Sequence, residues 1–377
     1  MIRIFLTGDN HIGLKYTKYE KSGELVQARL DALKRAVTAA NEEKCHILAV
    51  AGDLFDSVRA SKKDIKAVCA VFSEFEGTVA VLPGNHDYYT DNSELWSAFR
   101  VHSAPNTLLM TEYHGYPLQA DGESVELYPA FCDSRHSETN RLSEIRQHIS
   151  NDENIYRIGM AHGAIEGLSQ DNGKYFLMTE RELSDIPVDV WLIGHTHIEY
   201  PRGLSDSEYK RGYKIFNAGT HAQTDVSNNS EGVCFILELE KTDIGCDVRA
   251  KRYVSGEYRF VRTELKLSPD KDMTTALTDA MSAYHDNTVI EVSLSGSVSA
   301  EDYSDRTDIY KKVFSRFTEY SVQDRELSRQ LTEDIIRAEF AETSLPARLL
   351  TELLSDPKEA QLAYELLTEL TGREGKK

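Results

Sequence analysis

Short apolar runs alternate with amphipathic segments along the first half of the chain. In the segment 24–43, apolar residues recur three to five positions apart at Leu25, Leu30, Leu33 and Val37, which is the spacing of one buried helix face. Such patterns predict helices at 24–43 and 62–75 and strands at 2–6, 46–51, 78–82, 155–161 and 188–193. Strands that alternate with helices indicate a layered α/β core.

In the second half of the chain the hydrophobic pattern changes at two places. Strand-like segments follow one another with no helix pattern between them at 213–217, 232–240 and 246–266. This run predicts a second, more antiparallel sheet that closes a β-sandwich with helices outside.

The pattern changes again near Ser268-Pro269-Asp270. The segments predicted beyond it are helices at 273–285 and 305–317, strands at 288–294 and 318–322, and a charged helical tail from about Leu327. In that tail Pro346 and Pro357 each suit a first helical turn. The predicted parts of the chain are therefore 1–265, 266–325 and 326–377.

Composition narrows the classes of protein that remain. The formal net charge of −19 over 377 residues counts against a general nucleic-acid binder, unless basic patches, bound cations or a partner offset the repulsion. The five cysteines are scattered without a CxxC pair, which argues against a disulfide framework and a zinc–thiolate site. No apolar run approaches the roughly 20 residues of a membrane span, and the first residues lack signal-peptide features. These observations predict a cytoplasmic protein that does not enter a membrane.

Five short polar motifs stand at or just after predicted strand ends. They are Gly8-Asp9-Asn10-His11, Gly52-Asp53-Leu54-Phe55-Asp56, Pro83-Gly84-Asn85-His86-Asp87, Ala161-His162-Gly163 and Gly194-His195-Thr196-His197. In α/β sheets the loops beyond the strand ends are where ligands gather. We therefore expect the motifs to converge on one site.

The residue types in these motifs are those of a metal centre. Carboxylate, imidazole and amide ligands suit divalent ions such as manganese or iron. A carboxylate between two cations can bridge them, and Asp53 is the candidate for that role. A lone Asp-x-His or His-x-His would be weak evidence, but the ordered set of five motifs is specific. It predicts a phosphoesterase in which two metal ions clamp the oxygens of a phosphoryl group.

These motifs resemble the calcineurin-like metallophosphoesterase superfamily over residues 1 to about 265. Within it the chain is similar to the SbcD/Mre-type DNA repair exonucleases, because of the Asp9-Asn10-His11-Ile12-Gly13 opening, the following long helix and Gly52-Asp53-Leu54-Phe55-Asp56. The resemblance implies a four-layer α/β/β/α sandwich, followed by a small C-terminal α/β capping domain and a helical tail. It also implies DNA, as single strands or duplex ends, as the substrate.

The resemblance assigns a role to each motif residue. One ion would be held by Asp9, His11, Asp53 and His197, and the other by Asp53, Asn85, His162 and His195. His86 would contact the scissile phosphate and assist the leaving oxygen, with Asp87 orienting His86. The two ions are expected to be Mn²⁺, with iron, magnesium or zinc as alternatives.

Several points stay open at the level of sequence. The alternative function is a phosphatase or phosphodiesterase acting on nucleotides or small phosphate esters, and a further alternative is a binding subunit with a vestigial site. Asp56 either supports the metal site or caps a helix, and His221 is either near the site or structural. The segment 15–21 interleaves lysines with tyrosines and either contacts nucleic acid or is a solvated loop.

The remaining open points concern partners. Apolar positions of the tail either pack on the parent domain or dock an SMC-like ATPase subunit of the SbcC type: Ile335, Ile336, Phe340, Leu349, Leu350, Leu353 and Leu354. The resemblance also implies a possible homodimer.

Overall fold

The computed structural model describes residues 1–168 and 173–370, and the chain divides into two compact units, Met1–Arg259 and Phe260–Lys377. The strands of the first unit are β1 (Ile2–Thr7), β2 (Ile47–Ala51), β3 (Thr78–Leu82), β4 (Thr107–Leu109), β5 (Tyr116–Ala120), β6 (Glu123–Ala130), β7 (Tyr156–His162), β8 (Val190–Gly194), β9 (Lys210–Arg211), β10 (Ile215–Phe216), β11 (Val233–Thr242) and β12 (Gly245–Val254). Its helices are α1 (Ser22–Glu42), α2 (Lys62–Ser73), α3 (Glu94–His102), α4 (Leu142–Arg146) and α5 (Glu180–Ser184).

Two sheets organise the first unit. The larger has the order β4-β3-β2-β1-β11-β12-β9, in which β1 to β4 are parallel and β11 runs antiparallel to β1. The smaller has the order β10-β8-β7-β6-β5 and is parallel except for the β5–β6 pair. The parallel strands of each sheet therefore direct their carboxyl ends, and the loops that follow, toward a common edge.

The sheets pack face to face through one apolar core, and helices cover their outer faces. Leu6 of β1 and Met160 of β7 belong to the core between the sheets. Leu33 of α1 packs on the outer face of the larger sheet, and Leu183 of α5 packs on that of the smaller one. The layers are helix, sheet, sheet, helix, which confirms the predicted α/β/β/α sandwich. The prediction that the segments after β8 form a second, antiparallel sheet is wrong, because β11 and β12 extend the larger sheet and β10 pairs parallel with β8 in the smaller one.

Glycines let the two sheets approach each other beside the motif loops. Gly52 has φ +89°, and a Cβ on it would overlap the ring of His162. A Cβ on Gly194 would overlap the carbonyl oxygen of Ala51. The absence of side chains at these positions brings the loops after β2, β7 and β8 into contact.

The second unit contains a smaller sheet and three terminal helices. Its elements are β13 (Arg259–Leu267), α6 (Met273–Met281), β14 (Thr288–Val298), α7 (Ala300–Phe314), β15 (Glu319–Arg329), α8 (Glu333–Glu339), α9 (Leu345–Leu353) and α10 (Pro357–Leu370). The sheet order is β13-β14-β15, and β14 and β15 are parallel and joined by α7, as in a βαβ unit. The terminal helices share a small apolar cluster that includes Ile336, Phe340 and Leu350.

Several predicted boundaries are wrong for identifiable reasons. The helical tail begins at Glu333 rather than near Leu327, because Leu327 still pairs with Gly296 inside β15. The predicted strand 246–266 is two strands that belong to different sheets. Strand β12 pairs with β11 in the larger sheet of the first unit, and β13 pairs with β14 in the sheet of the second unit. Helix α3 and strands β4 to β6 were not predicted, since their apolar positions are few or irregular. The three-part division at 265 and 325 stays a prediction.

None of the helices in the described ranges 1–168 and 173–370 has the length and apolar character needed to cross a bilayer.

Candidate metal centre

The five motif loops converge at the common edge of the two sheets. Side chains from them form three overlapping groups of metal-binding residues, and within each group the candidate ligand atoms lie within 4.8 Å of one another. The groups are Asp9, His11 and His197; His11, Asp53 and His86; and Asp53, His162 and His195. With Asn85, described below, every predicted ligand is at this place.

The backbone of the motif loops is held in a sparsely populated conformation. The residues with left-handed φ angles here are Asp9 (47°), His11 (42°), Asp53 (51°), His195 (110°) and His197 (51°). Each such non-glycine residue costs on the order of 1–3 kcal/mol. Backbone hydrogen bonds of 3.0 and 2.9 Å from the N–H groups of Asp9 and His11 to the loop after β2 help to maintain it. Five such residues in one site indicate that the placement of the side chains is maintained despite strain in the backbone.

We call Asp9, His11 and His197 the first half-site. Nε2 of His11 lies 3.0 Å from Nε2 of His197, and Nε2 of His197 lies 3.7 Å from Oδ1 of Asp9. Burial lowers the pKa of His11 and lowers that of His197 well below its ordinary value. Burial also raises the pKa of Asp9 to about 8 in the metal-free protein.

We call Asn85, His162 and His195 the second half-site. Oδ1 of Asn85 lies 3.0 Å from Nε2 of His162 and 3.0 Å from Nδ1 of His195. Nδ1 of His162 donates to the carbonyl oxygen of Ala51 at 2.8 Å, which fixes the ring and directs Nε2 toward the centre.

Asp53 lies between the two half-sites. Its Oδ2 is 3.7 Å from Nε2 of His11 and 3.3 Å from Nε2 of His162. Burial would raise the pKa of Asp53, but the positive His162 ring outweighs this effect and the pKa lies well below its ordinary range. In turn, burial would lower the pKa of His162, but the charge of Asp53 outweighs it and raises the pKa to about 9.

The donor set fits two divalent cations. It combines two buried carboxylates, imidazole nitrogens and an amide oxygen, which are ligands for borderline-to-hard divalent ions. The raised pKa of Asp9 shows that this buried carboxylate lacks enough positive charge around it. Two cations would supply that charge, and Asp53 is placed to be shared between them.

His86 lies at the same centre, but its ring is held by a different partner from the one predicted. Its Nδ1 is 3.1 Å from the backbone oxygen of Asp56, so Nδ1–H is the donor of that bond. The carboxylate of Asp87 instead accepts from the N–H groups of Gly84 (2.7 Å) and Phe55 (2.9 Å). The prediction that Asp87 orients the His86 ring is therefore corrected, because Asp87 ties together the loops after β2 and β3.

The structure places the two residues whose roles sequence left open. Oδ1 of Asp56 lies 3.3 Å from Nδ1 of His11, and Ser61, not Asp56, caps α2. Asp56 therefore supports a ligand of the first half-site. His221 is fully buried and its Nε2 donates to the carbonyl oxygen of Arg29 at 2.8 Å, which makes it structural.

Sequence reasoning missed Arg29. It stands four residues from both Leu25 and Leu33 on the apolar face of α1, and only 2% of it is exposed. A lone arginine on the apolar face of a predicted helix was the available signal, because burying a charge is costly unless it serves a contact.

The metal centre lies in an open cleft of about 1310 Å³. One wall is the segment 14–19 with Lys15 and Lys18, and another is the polar segment 224–230. Arg202 adds a third cation, while Asp56, Glu199 and Asp225 also line the cleft. The cleft is therefore lined by both positively and negatively charged side chains.

The fold and the paired donor set define a metal-dependent phosphoesterase. The chain belongs to the calcineurin-like phosphoesterase family, whose model matches residues 2–199. Among the curated proteins none matches the chain.

Solved structures similar to the chain include TT1561 of Thermus thermophilus, at 14% identity, a TM-score of 0.38 and coverage of 63% of this chain and 93% of that one. An archaeal phosphodiesterase has 14% identity, a TM-score of 0.34 and coverage of 67% and 99%. A dimetal phosphatase from Danio rerio has 13% identity, a TM-score of 0.36 and coverage of 67% and 98%.

Proposed function

We propose that the protein is a two-metal-dependent phosphodiesterase that cuts DNA, as an exo- or endonuclease of the SbcD type acting in DNA repair. The observation that carries the proposal is the position of the metal centre in an open cleft of about 1310 Å³ with lysines and tyrosines on one wall. A mononucleotide would fill only part of such a cleft, whereas a nucleic-acid strand can extend along it.

The walls of the cleft suit a phosphate backbone. Lys15, Lys18 and Arg202 provide local positive charge in a chain whose formal net charge is −19. Tyr19, whose ring lies 4.8 Å from Nζ of Lys18, and Tyr175, whose ring lies 5.1 Å from the His195 ring, provide aromatic faces on which bases can stack. Lysines with interleaved aromatics are a common means of binding a single strand.

The residues of the centre suit hydrolysis. Two bound divalent cations would neutralise charge on the phosphate oxygens and orient them. His86 donates from Nδ1 to the Asp56 carbonyl oxygen, so its Nε2 is the nitrogen free to interact with substrate. In its protonated form the His86 ring can pass the Nε2 proton to the departing oxygen. Asp53 and the two half-sites would hold the cations that this chemistry requires.

Further parts of the proposal follow from the family resemblance. The cations would be Mn²⁺ and the protein cytoplasmic. The terminal helices would dock an SMC-like ATPase subunit, which is supported by exposed leucines on α9 and α10 such as Leu345, at 77% exposure, and Leu362, at 60%. A homodimer is also proposed.

A side-by-side assay tests the function. The purified protein with Mn²⁺ is given end-labelled single-stranded DNA, duplex DNA with ends, mononucleotides and bis-p-nitrophenyl phosphate. We expect metal-dependent cleavage of DNA, with a KM that rises steeply with salt because phosphate contacts release counterions. A wild type that leaves DNA intact while rapidly hydrolysing the small esters would overturn the nuclease and favour the alternative phosphatase.

Two separate histidine substitutions test the role of His86 in cleavage. His86→Ala should lower the DNA cleavage rate by about 10²–10⁴-fold, the range of general acid catalysis, while leaving bound Mn²⁺ unchanged. His102→Ala, at an exposed position at the end of α3, is the control and should retain the wild-type rate. Equal rates for the two variants would remove His86 from the mechanism.

A further inference from the structure

The buried side chain of Arg29 connects the first metal-ligand loop to the cleft walls. Its Nε donates to the carbonyl oxygen of Asn10 at 2.5 Å, and its Nη2 donates to that of Asp9 at 3.1 Å. Both carbonyls belong to the loop that presents Asp9 and His11. The guanidinium therefore contacts the backbone of the first half-site without touching its ligand atoms.

The same guanidinium reaches segments far away in the chain. Nη2 also donates to Oγ1 of Thr220 at 3.0 Å, and Nη1 donates to the carbonyl oxygen of Ala222 at 2.8 Å. Nη1 lies 3.3 Å from the hydroxyl of Tyr16, on the lysine-bearing wall. One side chain thus joins the ligand loop to residues next to both walls of the cleft.

The acceptors of these bonds are all neutral oxygens. A buried guanidinium usually faces a carboxylate, because neutral partners compensate its loss of hydration less well. The planar fork of arginine can bind several carbonyls at fixed angles, which a lysine cannot do. This arrangement is expected for a side chain selected to hold backbone in place rather than to form an ion pair.

The backbone that Arg29 holds is unusual. Asp9 and His11 have φ angles of 47° and 42°, in the left-handed region that non-glycine residues rarely adopt. The Thr220 hydroxyl also lies 2.8 Å from the carbonyl oxygen of Asp9. Arg29 and Thr220 together therefore brace the carbonyl side of the loop.

We propose that Arg29 is a positioning residue for the metal site, which holds the 9–11 loop in the conformation that aims Asp9 and His11 at the first half-site. The inference rests on the proposed two-metal function. It extends that function by assigning the geometry of one half-site to a residue that is not a ligand.

Calorimetric titration of the EDTA-treated full-length protein with MnCl₂ tests the inference. For Arg29→Met we expect the affinity of the first half-site to fall by about 10–100-fold, the usual effect of losing support behind a ligand, while the second half-site keeps its affinity. Reference titrations of His197→Ala and Asn85→Ala assign the two binding steps. Wild-type affinities at both half-sites, or equal losses at both, would overturn the inference.

Two further variants separate positioning from stability. Arg157→Met removes a half-buried arginine on β7 that pairs with Asp189 at 3.6 Å, and it should lower the melting temperature without changing either Mn²⁺ affinity. Thr220→Val removes the hydroxyl with little change of volume and should weaken the first half-site by a few-fold. If Arg29→Met does not fold, the Thr220→Val variant serves as the test instead. Wild-type Mn²⁺ affinity at the first half-site of that variant would then overturn the inference.

These outcomes are distinct from failure of the proposed function. A wild type that binds no Mn²⁺, or that binds two ions without cutting DNA, contradicts the function itself. A wild type that binds two ions and an Arg29→Met variant that binds them equally well contradicts only the positioning role.

Discussion

The two half-sites use the same kinds of ligand but are held in different ways. In each half-site two ligands are buried and one histidine, His197 or His195, is partly exposed. In the second half-site His162 stands at the end of β7 and is tied to the Ala51 carbonyl oxygen. In the first half-site all three ligands lie on left-handed backbone, whereas in the second half-site His195 does so and Asn85 and His162 do not. The comparison shows that a similar donor set can be held by different amounts of strained backbone.

The electrostatics of the half-sites differ as well. In the metal-free protein His162 is positively charged, because the charge of Asp53 raises its pKa to about 9 despite burial. The imidazoles of the first half-site are neutral, because burial lowers the pKa of both His11 and His197. Asp9 carries the proton of the first half-site, since burial raises its pKa to about 8. Metal binding must therefore displace a proton from each half-site, but from different kinds of group.

The largest loss of metal binding and activity is expected for substitution of Asp53, which lies between the half-sites. Asp53→Asn removes the one carboxylate placed to be shared, so both cations should be lost or weakly bound. We expect phosphodiester hydrolysis with Mn²⁺ to fall by at least about 10³-fold. Metal content by mass spectrometry and hydrolysis of bis-p-nitrophenyl phosphate measure the change, and Asp152→Asn on an exposed loop is the control. Retention of one tightly bound ion would show that the half-sites are independent.

The next effect is a pH dependence shared by the half-sites. Folding raises the pKa of His162 from 6.5 to about 9 and that of Asp9 from 3.8 to about 8. At these two groups the folded metal-free protein binds more protons than the unfolded chain, so their contribution to stability falls as pH rises through these ranges. Mn²⁺ affinity should rise with pH by up to about tenfold per unit for each displaced proton.

Thermal unfolding measures this dependence. The increase in melting temperature on adding Mn²⁺, relative to EDTA, should grow between pH 6.5 and pH 8. Titrations in two buffers of different ionisation enthalpy should also show proton release on binding. A metal-induced shift that is the same across this pH range would contradict the protonation states assigned to both half-sites.

The smallest effect should be confined to one half-site. Oδ1 of Asp56 lies 3.3 Å from Nδ1 of His11, a ligand of the first half-site. Asp56→Asn should weaken Mn²⁺ binding at the first half-site roughly tenfold, because the support behind His11 is lost. Asp31→Asn on α1, which interacts with Lys34, is the control. If Mn²⁺ binding weakens equally at both half-sites, Asp56 acts through its negative charge on the whole centre and not through its contact with His11.

Much of the fold and centre was predictable because both depend on local patterns. The strands before the first three motifs were predicted almost to the residue, the alternation of strand and helix indicated the layered α/β core, and the family resemblance implied the four-layer sandwich. The second unit was less predictable. Strand β15 continues through Leu327 because it pairs with β14, and that pairing is not visible in a local pattern. The role that the resemblance implied for Asp87 is wrong, because its carboxylate accepts from the N–H groups of Gly84 and Phe55.

The sequence alone determined which polar side chains converge, because each motif stands at or just after a strand end and parallel strands end at one edge. Only the tertiary structure decided what supports them. Arg29 and Thr220 are 191 residues apart, and Asp56 reaches His11 across two loops. Local patterns identify the candidate metal-binding groups, but the contacts that orient those groups arise only when distant segments pack together.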